Sequence, residues 1–444
     1  MPAYRRVRNS RAARAFERPV PPHRPHRNRP AEHAAATPTL LAVRRALLLV
    51  VLLGLLAPVS ADALRRTVPQ GWNGMVLSRD QLGSDSQATT EWNRMVSSGV
   101  ESTRIAFYWS TAQPYASITD VPPSRLGDFA PPNGTIGPGN VPTDFRRTDE
   151  VVESTAARGL AILPVVLNAP AWAAQDPGRL NAGLIAPPRD PQDYANYLTA
   201  LVDRYGPNGT FWIAHPDVPK HPIREYQAWN EINLHFNWPQ THRQWVGQYT
   251  RLLRAAHDAI KAADPSAKVV LSALVNDSWR ALPYLYKAHA RGLFDSVAIH
   301  PYTLQPKNVV RVAKLIRGVM RRYHDSRKSL MITELGWPNE IDAHGHHRTR
   351  KHYTIDTSER GQVQRIKAVY PLLAKARRSL LLSRVYWYTW ITSDRGNTDP
   401  FDYAGLRIKG IPDSRPKASF GVWRKMALGL EGCRSSKSSV TSCG

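Results

Sequence analysis

Two short stretches of this 444-residue sequence put carboxylates where they can do chemistry. Glu231 closes Trp229-Asn230-Glu231, and Glu334 sits within Thr333-Glu334-Leu335-Gly336-Trp337-Pro338. Each stretch ends an apolar, β-like run, so each carboxylate stands at the C-terminal end of a strand. A facing pair of this kind can divide the work of breaking a glycosidic bond. One carboxyl gives a proton to the leaving oxygen while the other attacks the anomeric carbon. Their mutual repulsion helps keep one protonated and the other ionised near neutral pH. A lone Glu at a strand end more often makes a salt bridge, so the weight rests on the joint placement.

The elements that must hold the pair can be read from the hydrophobic pattern. Strand-like runs fall at 71–77, 102–108, 161–167, 223–229, 268–272, 296–300, 329–333 and 384–388. Helical patterns fall between them at 89–98, 144–158, 191–205, 242–263, 281–291, 306–323, 358–378 and 416–428, with Thr241 and Thr357 as capping residues for the fourth and seventh. The run Ala161-Ile162-Leu163-Pro164-Val165-Val166-Leu167 is apolar throughout, as suits a parallel strand covered on both faces. Eight strands alternating with eight helices point to an α/β fold, a (β/α)8 TIM barrel in a single domain over 64–428. An open doubly wound sheet is the rival, and it lacks a Gly-rich fingerprint after the first strand. Glu231 then ends strand four and Glu334 strand seven, facing each other across the barrel mouth. Long Pro- and Gly-rich loops at 110–143 and 391–415 leave the same face and are expected to wall a groove there, whereas 206–222 belongs to the opposite face.

The two Glu motifs resemble the acid/base and nucleophile motifs of glycoside hydrolase clan A, most of all families 5 and 39, including bacterial family-39-like enzymes linked to exopolysaccharide. The resemblance covers most of 68–428. It takes in Arg104-Ile105-Ala106-Phe107-Tyr108-Trp109, His300-Pro301-Tyr302, Tyr386-Trp387-Tyr388-Thr389-Trp390, Asp402-Tyr403-Ala404-Gly405-Leu406 and Pro416-Lys417-Ala418. One departure is Ile232, where the clan usually has Pro after the acid/base. The resemblance implies Glu231 as general acid and then base, and Glu334 as nucleophile. Asn230 would bond the sugar 2-hydroxyl, and Arg104 would serve as the counter-charge of Glu334. His300 and Tyr302 would bond near the nucleophile, and Trp390 would form an apolar floor beneath the sugar. Core packing or structural pairing is the competing reading for Arg104, His300 and Trp390.

The sequence holds thirteen Trp, and a surplus of indole often lines a groove that takes the flat faces of sugar rings. Trp109, Trp172, Trp238 and Trp337 follow strands two, three, four and seven, so stacking and core packing are both open for each. Asp342, His344, His346, His347 and His352 lie after strand seven. Alternate His can bind a metal, but the surrounding Arg and Lys read as a solvated basic loop. No metal or other cofactor is expected. The implied reaction is cleavage of β-type O-glycosidic bonds in a poly- or oligosaccharide with net retention, by a monomer. A non-catalytic carbohydrate-binding barrel at the cell wall and a transglycosylase using the same residues are the alternatives.

The ends of the chain are of another kind. Residues 1–45 form a basic tail rich in Arg, Pro and His, expected to be disordered. Arg44-Arg45, the apolar run 46–57 and small residues to 63 read as a secretory signal or, if retained, a membrane anchor, which makes the protein secreted or bound to the cell envelope. The formal charge of +25 divides into +8 over residues 1–63 and +17 over the rest. An Arg-preferring genome or an anionic polymer would each account for it. No nucleic-acid-binding signature is present. Cys433 and Cys443, alone in the chain, are expected to close a disulfide loop in the tail 429–444.

Overall fold

The computed structural model describes residues 65–239, 244–435 and 440–442. The basic tail 1–45, the apolar segment 46–63, the cap at Thr241 and the Cys443 half of the expected disulfide lie outside the described residues. Cys433 is buried. Among the described residues, no helix is long and apolar enough to cross a membrane.

Eight parallel strands close a barrel. In chain order they are β1 (Asn73–Val76), β2 (Ser102–Tyr108), β3 (Ala161–Leu167), β4 (Glu225–Asn230), β5 (Lys268–Val275), β6 (Ser296–His300), β7 (Ser329–Leu335) and β8 (Leu382–Tyr388). Each pairs with its sequence neighbours, and β8 returns to pair with β1. Helices follow the strands: α1 (Asp85–Ser97), α2 (Arg146–Ala156), α3 (Pro191–Tyr205), α4 (Gln244–Ala263), α5 (Ser278–Lys287), α6 (Pro306–Arg322), α7 (Glu359–Leu380) and α8 (Ala418–Leu430).

Local chemistry accounts for the boundaries. α3 starts where the Asp190 side chain accepts from Gln192 N at 2.9 Å and Pro191 fills the first helical position. Its buried Tyr194, Leu198, Leu201 and Tyr205 recur every three or four residues, which is the stripe a helix must show to a sheet. α7 is capped by Ser358, whose hydroxyl accepts from Gly361 N, one residue later than the Thr357 the sequence suggests.

Two cores result. The larger lies between the sheet and the helices. The smaller fills the barrel interior with Val76, Leu163, Val270, Ala273, Ala298, Met331 and Tyr386. The interior is therefore plugged by side chains. Leu163 is fully buried in this plug. Leu163→Ala should lower the unfolding free energy by about 2–5 kcal/mol, read from urea unfolding midpoints. A loss below about 1 kcal/mol would mean that the interior can collapse around the gap.

Candidate active site

The C-terminal strand ends supply the side chains at the mouth. β4 ends at Asn230, and Glu231 follows with φ 44°, after Trp229 at φ 75°. Two non-glycine residues in the left-handed region within three positions make a sharp, costly turn. The Trp229 carbonyl accepts from Gln227 Nε2 at 2.9 Å, and its indole donates to the Asn237 carbonyl at 2.9 Å. These bonds hold the turn that swings the Glu231 carboxyl inward.

β7 runs two residues further than its apolar pattern suggests, so Glu334 lies within the strand. Gly336 follows, and a Cβ there would stand 2.4 Å from the Tyr388 carbonyl oxygen. The motif needs glycine at this point because the ends of β7 and β8 approach so closely.

Arg104, from β2, is 4% exposed and binds three strands together. Its Nη1 donates to Glu334 Oε1 at 2.7 Å, its Nη2 to Asn230 Oδ1 at 2.7 Å and its Nε to Gln227 Oε1 at 3.1 Å. Tyr302 donates its hydroxyl to Glu334 Oε2 at 2.8 Å. On the other carboxylate, Asn237 Nδ2 donates to Glu231 Oε2 at 3.1 Å. His300 Nδ1 lies 2.5 Å from Glu231 Oε1 and 3.5 Å from Glu334 Oε2. One oxygen of each carboxylate and a ring nitrogen of His300 all fall within 4.8 Å of one another.

The environment separates the titrations. Burial pushes the Glu231 carboxyl up to about 7, against the opposing pull of Arg104 and the Asn237 hydrogen bond. Burial, with Arg104 adding to it, carries His300 down to about 3 despite the charge of Glu334, so its ring is neutral at pH 7. Tyr302 is raised well above its ordinary value, by burial first and by Glu334 second, and stays a hydrogen-bond donor.

The mouth opens as a cleft of about 760 Å³ lined by Arg104, Asn230, Glu231, Tyr302 and Glu334. Its aromatic walls are Tyr108, Phe236, Tyr302, Tyr353, Tyr388 and Phe401. Tyr108 and Phe236 are 47% and 53% exposed, as a surface awaiting a partner would be.

Residues 223–415 match the family model described as glycosyl hydrolase family 53. No curated protein matches the chain. Among solved structures, a family 39 glycoside hydrolase from the gut symbiont Bacteroides cellulosilyticus WH2 is similar at 17% identity, covering 83% of this chain and 65% of its own, with TM-score 0.56. A glucosidase from Croceicoccus marinus is similar at 14% identity, with coverages of 83% and 70% and TM-score 0.54. The GH39 enzyme from Xanthomonas axonopodis pv. citri is similar at 15% identity, with coverages of 82% and 67% and TM-score 0.52. The chain spans just under two thirds of the Bacteroides enzyme, and at these identities the likeness is one of fold. The chain resembles the clan A glycoside hydrolases.

Six of the residues singled out in the sequence gather at the mouth of this barrel: Glu231, Glu334, Asn230, Arg104, Tyr302 and His300, the last fully buried behind the carboxylates. The tryptophans do not join them. Trp109 and Trp337 are fully buried, Trp238 is 2% exposed, and Trp172 packs edge-on against Trp109 with its indole bonded to the Gln113 carbonyl. Trp337 instead ties the loop after β6 by donating to the Thr303 carbonyl at 2.7 Å. Trp390 is also fully buried, donating to Glu91 Oε2 at 2.7 Å, so it cannot form a floor under a sugar. Tyr388, two residues earlier and last in β8, lines the cleft in its place. Tyr388 lies inside the run 386–390, where Trp390 draws the reading, and Asn237 carries no motif; only its place after β4 could have marked it.

The loops need a matching correction. No residue of 110–143 lines the cleft. That loop folds on itself through a hairpin, Gly134–Ile136 with Pro142–Asp144, and Arg204 of α3 holds its Pro132 carbonyl at 2.9 Å. The loop after β8 does contribute, through Asp399 and Phe401, and the segment after β7 adds Lys351, Tyr353, Thr354 and Ile355.

Glu91, 2% exposed, also pairs with Arg407 at 3.3 Å. Trp390→Phe should therefore cost about 1–3 kcal/mol of stability by removing a buried donor, with KM unchanged. A large KM change at unaltered stability would return Trp390 to the substrate site.

Proposed function

We propose that this protein is a retaining glycoside hydrolase acting on β-linked poly- or oligosaccharide, with Glu334 as nucleophile and Glu231 as acid/base. The observation that carries the reading is the close carboxylate pair, within 4.8 Å oxygen to oxygen, with burial raising Glu231 to about 7. Inverting enzymes set their carboxyl groups about 6.5–9.5 Å apart to admit a water, while retaining ones keep them about 5–5.5 Å apart.

In the first step a Glu334 oxygen bonds to the anomeric carbon as the glycosidic C–O bond breaks, and Glu231 gives its proton to the leaving oxygen. In the second, Glu231 takes a proton from water, the water oxygen bonds to the anomeric carbon, and Glu334 leaves as a carboxylate. Arg104 and Tyr302 fix the nucleophile from two sides. Asn230, held by Arg104, is the group placed for the sugar 2-hydroxyl. The aromatic walls supply the apolar surface that sugar faces prefer. The apolar run after Arg44-Arg45 supports action outside the cytoplasm, on a polymer of the cell surroundings.

Glu334→Gln should reduce turnover by about 10³-fold or more, measured on aryl glycosides and polysaccharides. Proton NMR should show the first-formed sugar with the substrate's anomeric configuration, and the inverted anomer appearing first would sink the mechanism. Glu231 must be protonated to act, so kcat/KM should fall about tenfold per pH unit above about 7. The Asn237 N–H favours the ionised form of Glu231. Asn237→Ala should therefore move that alkaline limb to higher pH, and a downward shift would contradict the assignment of the acid.

A further inference from the structure

The segment after β7 folds tightly on itself. Ile341 and His347 form an antiparallel bridge, and Asp342 N donates to the His346 carbonyl at 2.9 Å. This turn brings His347 and His352 together, with ring centroids 3.9 Å apart. Both rings are exposed and stand over two buried carboxylates, Glu340 and Asp356. One ligand atom from each of the four lies within 4.8 Å of all the others.

The two carboxylates are set differently. Glu340 is fully buried; its Oε2 accepts from Arg348 N at 2.8 Å and Thr349 N at 3.3 Å, while its Oε1 is hydrogen-bonded with His347 Nδ1. The backbone thus orients it towards the imidazoles. Asp356, 7% exposed, accepts from Tyr353 N through Oδ2 at 2.5 Å. Its Oδ1 is buried with no hydrogen-bond partner. A buried acceptor left unsatisfied costs about 1–3 kcal/mol, more when charged, and calls for an explanation.

We propose that Glu340, His347, His352 and Asp356 form a structural site for a divalent transition ion, zinc foremost, which braces the wall of the cleft. Two imidazole nitrogens with two carboxylate oxygens are a borderline donor set; calcium and magnesium favour oxygen alone. Two carboxylates balance the charge of a divalent ion, and the ion satisfies Asp356 Oδ1. Four protein ligands make a closed site, the pattern of structural rather than catalytic zinc. Ligands about 2.0–2.1 Å from zinc in a tetrahedron stand about 3.4 Å from each other, so a spread of up to 4.8 Å needs shifts of an ångström or so. The backbone bonds to Glu340 are the outer contacts that orient a metal ligand. Between His347 and Asp356 lie Lys351, Tyr353, Thr354 and Ile355, which line the cleft. An ion on those flanking ligands pins this stretch at both ends and takes no part in the chemistry. Asp342, His344 and His346 do not belong to this group of four, and Asp342 instead accepts from the backbone amides of His344 and His346.

The test uses the untagged full chain, stripped with a chelator and dialysed. Zinc is titrated in by calorimetry, and bound metal is counted by mass spectrometry, in wild type, His352→Ala and His344→Ala. Both histidines are exposed, so neither change threatens folding. One zinc per chain is expected, raising the Tm of wild type and of His344→Ala. In His352→Ala zinc affinity should fall by about 100-fold or more, and the Tm shift should vanish. Absence of stoichiometric zinc in wild type, equal binding by all three proteins, or equal loss in both variants would overturn the proposal. The readout is independent of hydrolysis, so its failure leaves the carboxylate mechanism standing.

Discussion

A buried guanidinium organises the mouth of this barrel. Arg104 rises from β2 and donates to Glu334 on β7 and to Asn230 and Gln227 on β4. A charged side chain that is 4% exposed is stable only when its donors are matched, and the planar fork of arginine can satisfy three acceptors at fixed angles. Those acceptors come from strands that are not neighbours, so closing the barrel is what brings them together. Each carboxylate or amide is held by the cation, and the cation is held by all of them. A lysine would keep the charge and lose the geometry.

The turn at the end of β4 bears the strain that this arrangement requires. Trp229 and Glu231 both have positive φ, a state that costs roughly 1–3 kcal/mol for each non-glycine residue. The surroundings hold it in place: Gln227 and Asn237 bond to Trp229, while His300 and Asn237 reach the Glu231 carboxyl. Gln227 and Asn237 therefore each serve both the turn and the charged groups beside it. The clan's usual Pro after the acid/base is replaced by Ile232, which is fully buried, so packing into the core fixes the chain there.

What the sequence made legible follows from which signals are local. Strand and helix positions came from apolar runs and caps, and β2, β3 and β6 agree with those runs at both ends. The carboxylate pair was legible because strand ends are local and the closed barrel converts them into neighbours. The aromatic walls were not. Trp390 and Tyr388 are two residues apart in one aromatic run, and only the partner offered by Glu91 on α1 sends the first into the core. Likewise, the destination of the loop 110–143 was decided by Arg204, far away in the chain. The histidines after β7 read as a solvated loop because Glu340 and Asp356, which draw two of them together, lie outside the His-rich run and show no periodicity of their own.

Burial acts on the acid and on the histidine beside it in opposite senses, and the site uses both. Desolvation disfavours charge, so it lifts Glu231 towards 7 and drops His300 to about 3. Had His300 kept its charge 2.5 Å from Glu231, the attraction would have pinned that carboxyl in its ionised form and removed the proton that a leaving oxygen needs. A neutral ring still fills the space and bonds to the carboxyl, but leaves its proton available. Arg104 supplies the positive charge instead, and bonds directly to Glu334 and not to Glu231. The two chemically identical carboxylates are therefore set differently by their partners: Glu334 accepts from Arg104 and Tyr302, while Glu231 accepts from Asn237 and is raised by burial.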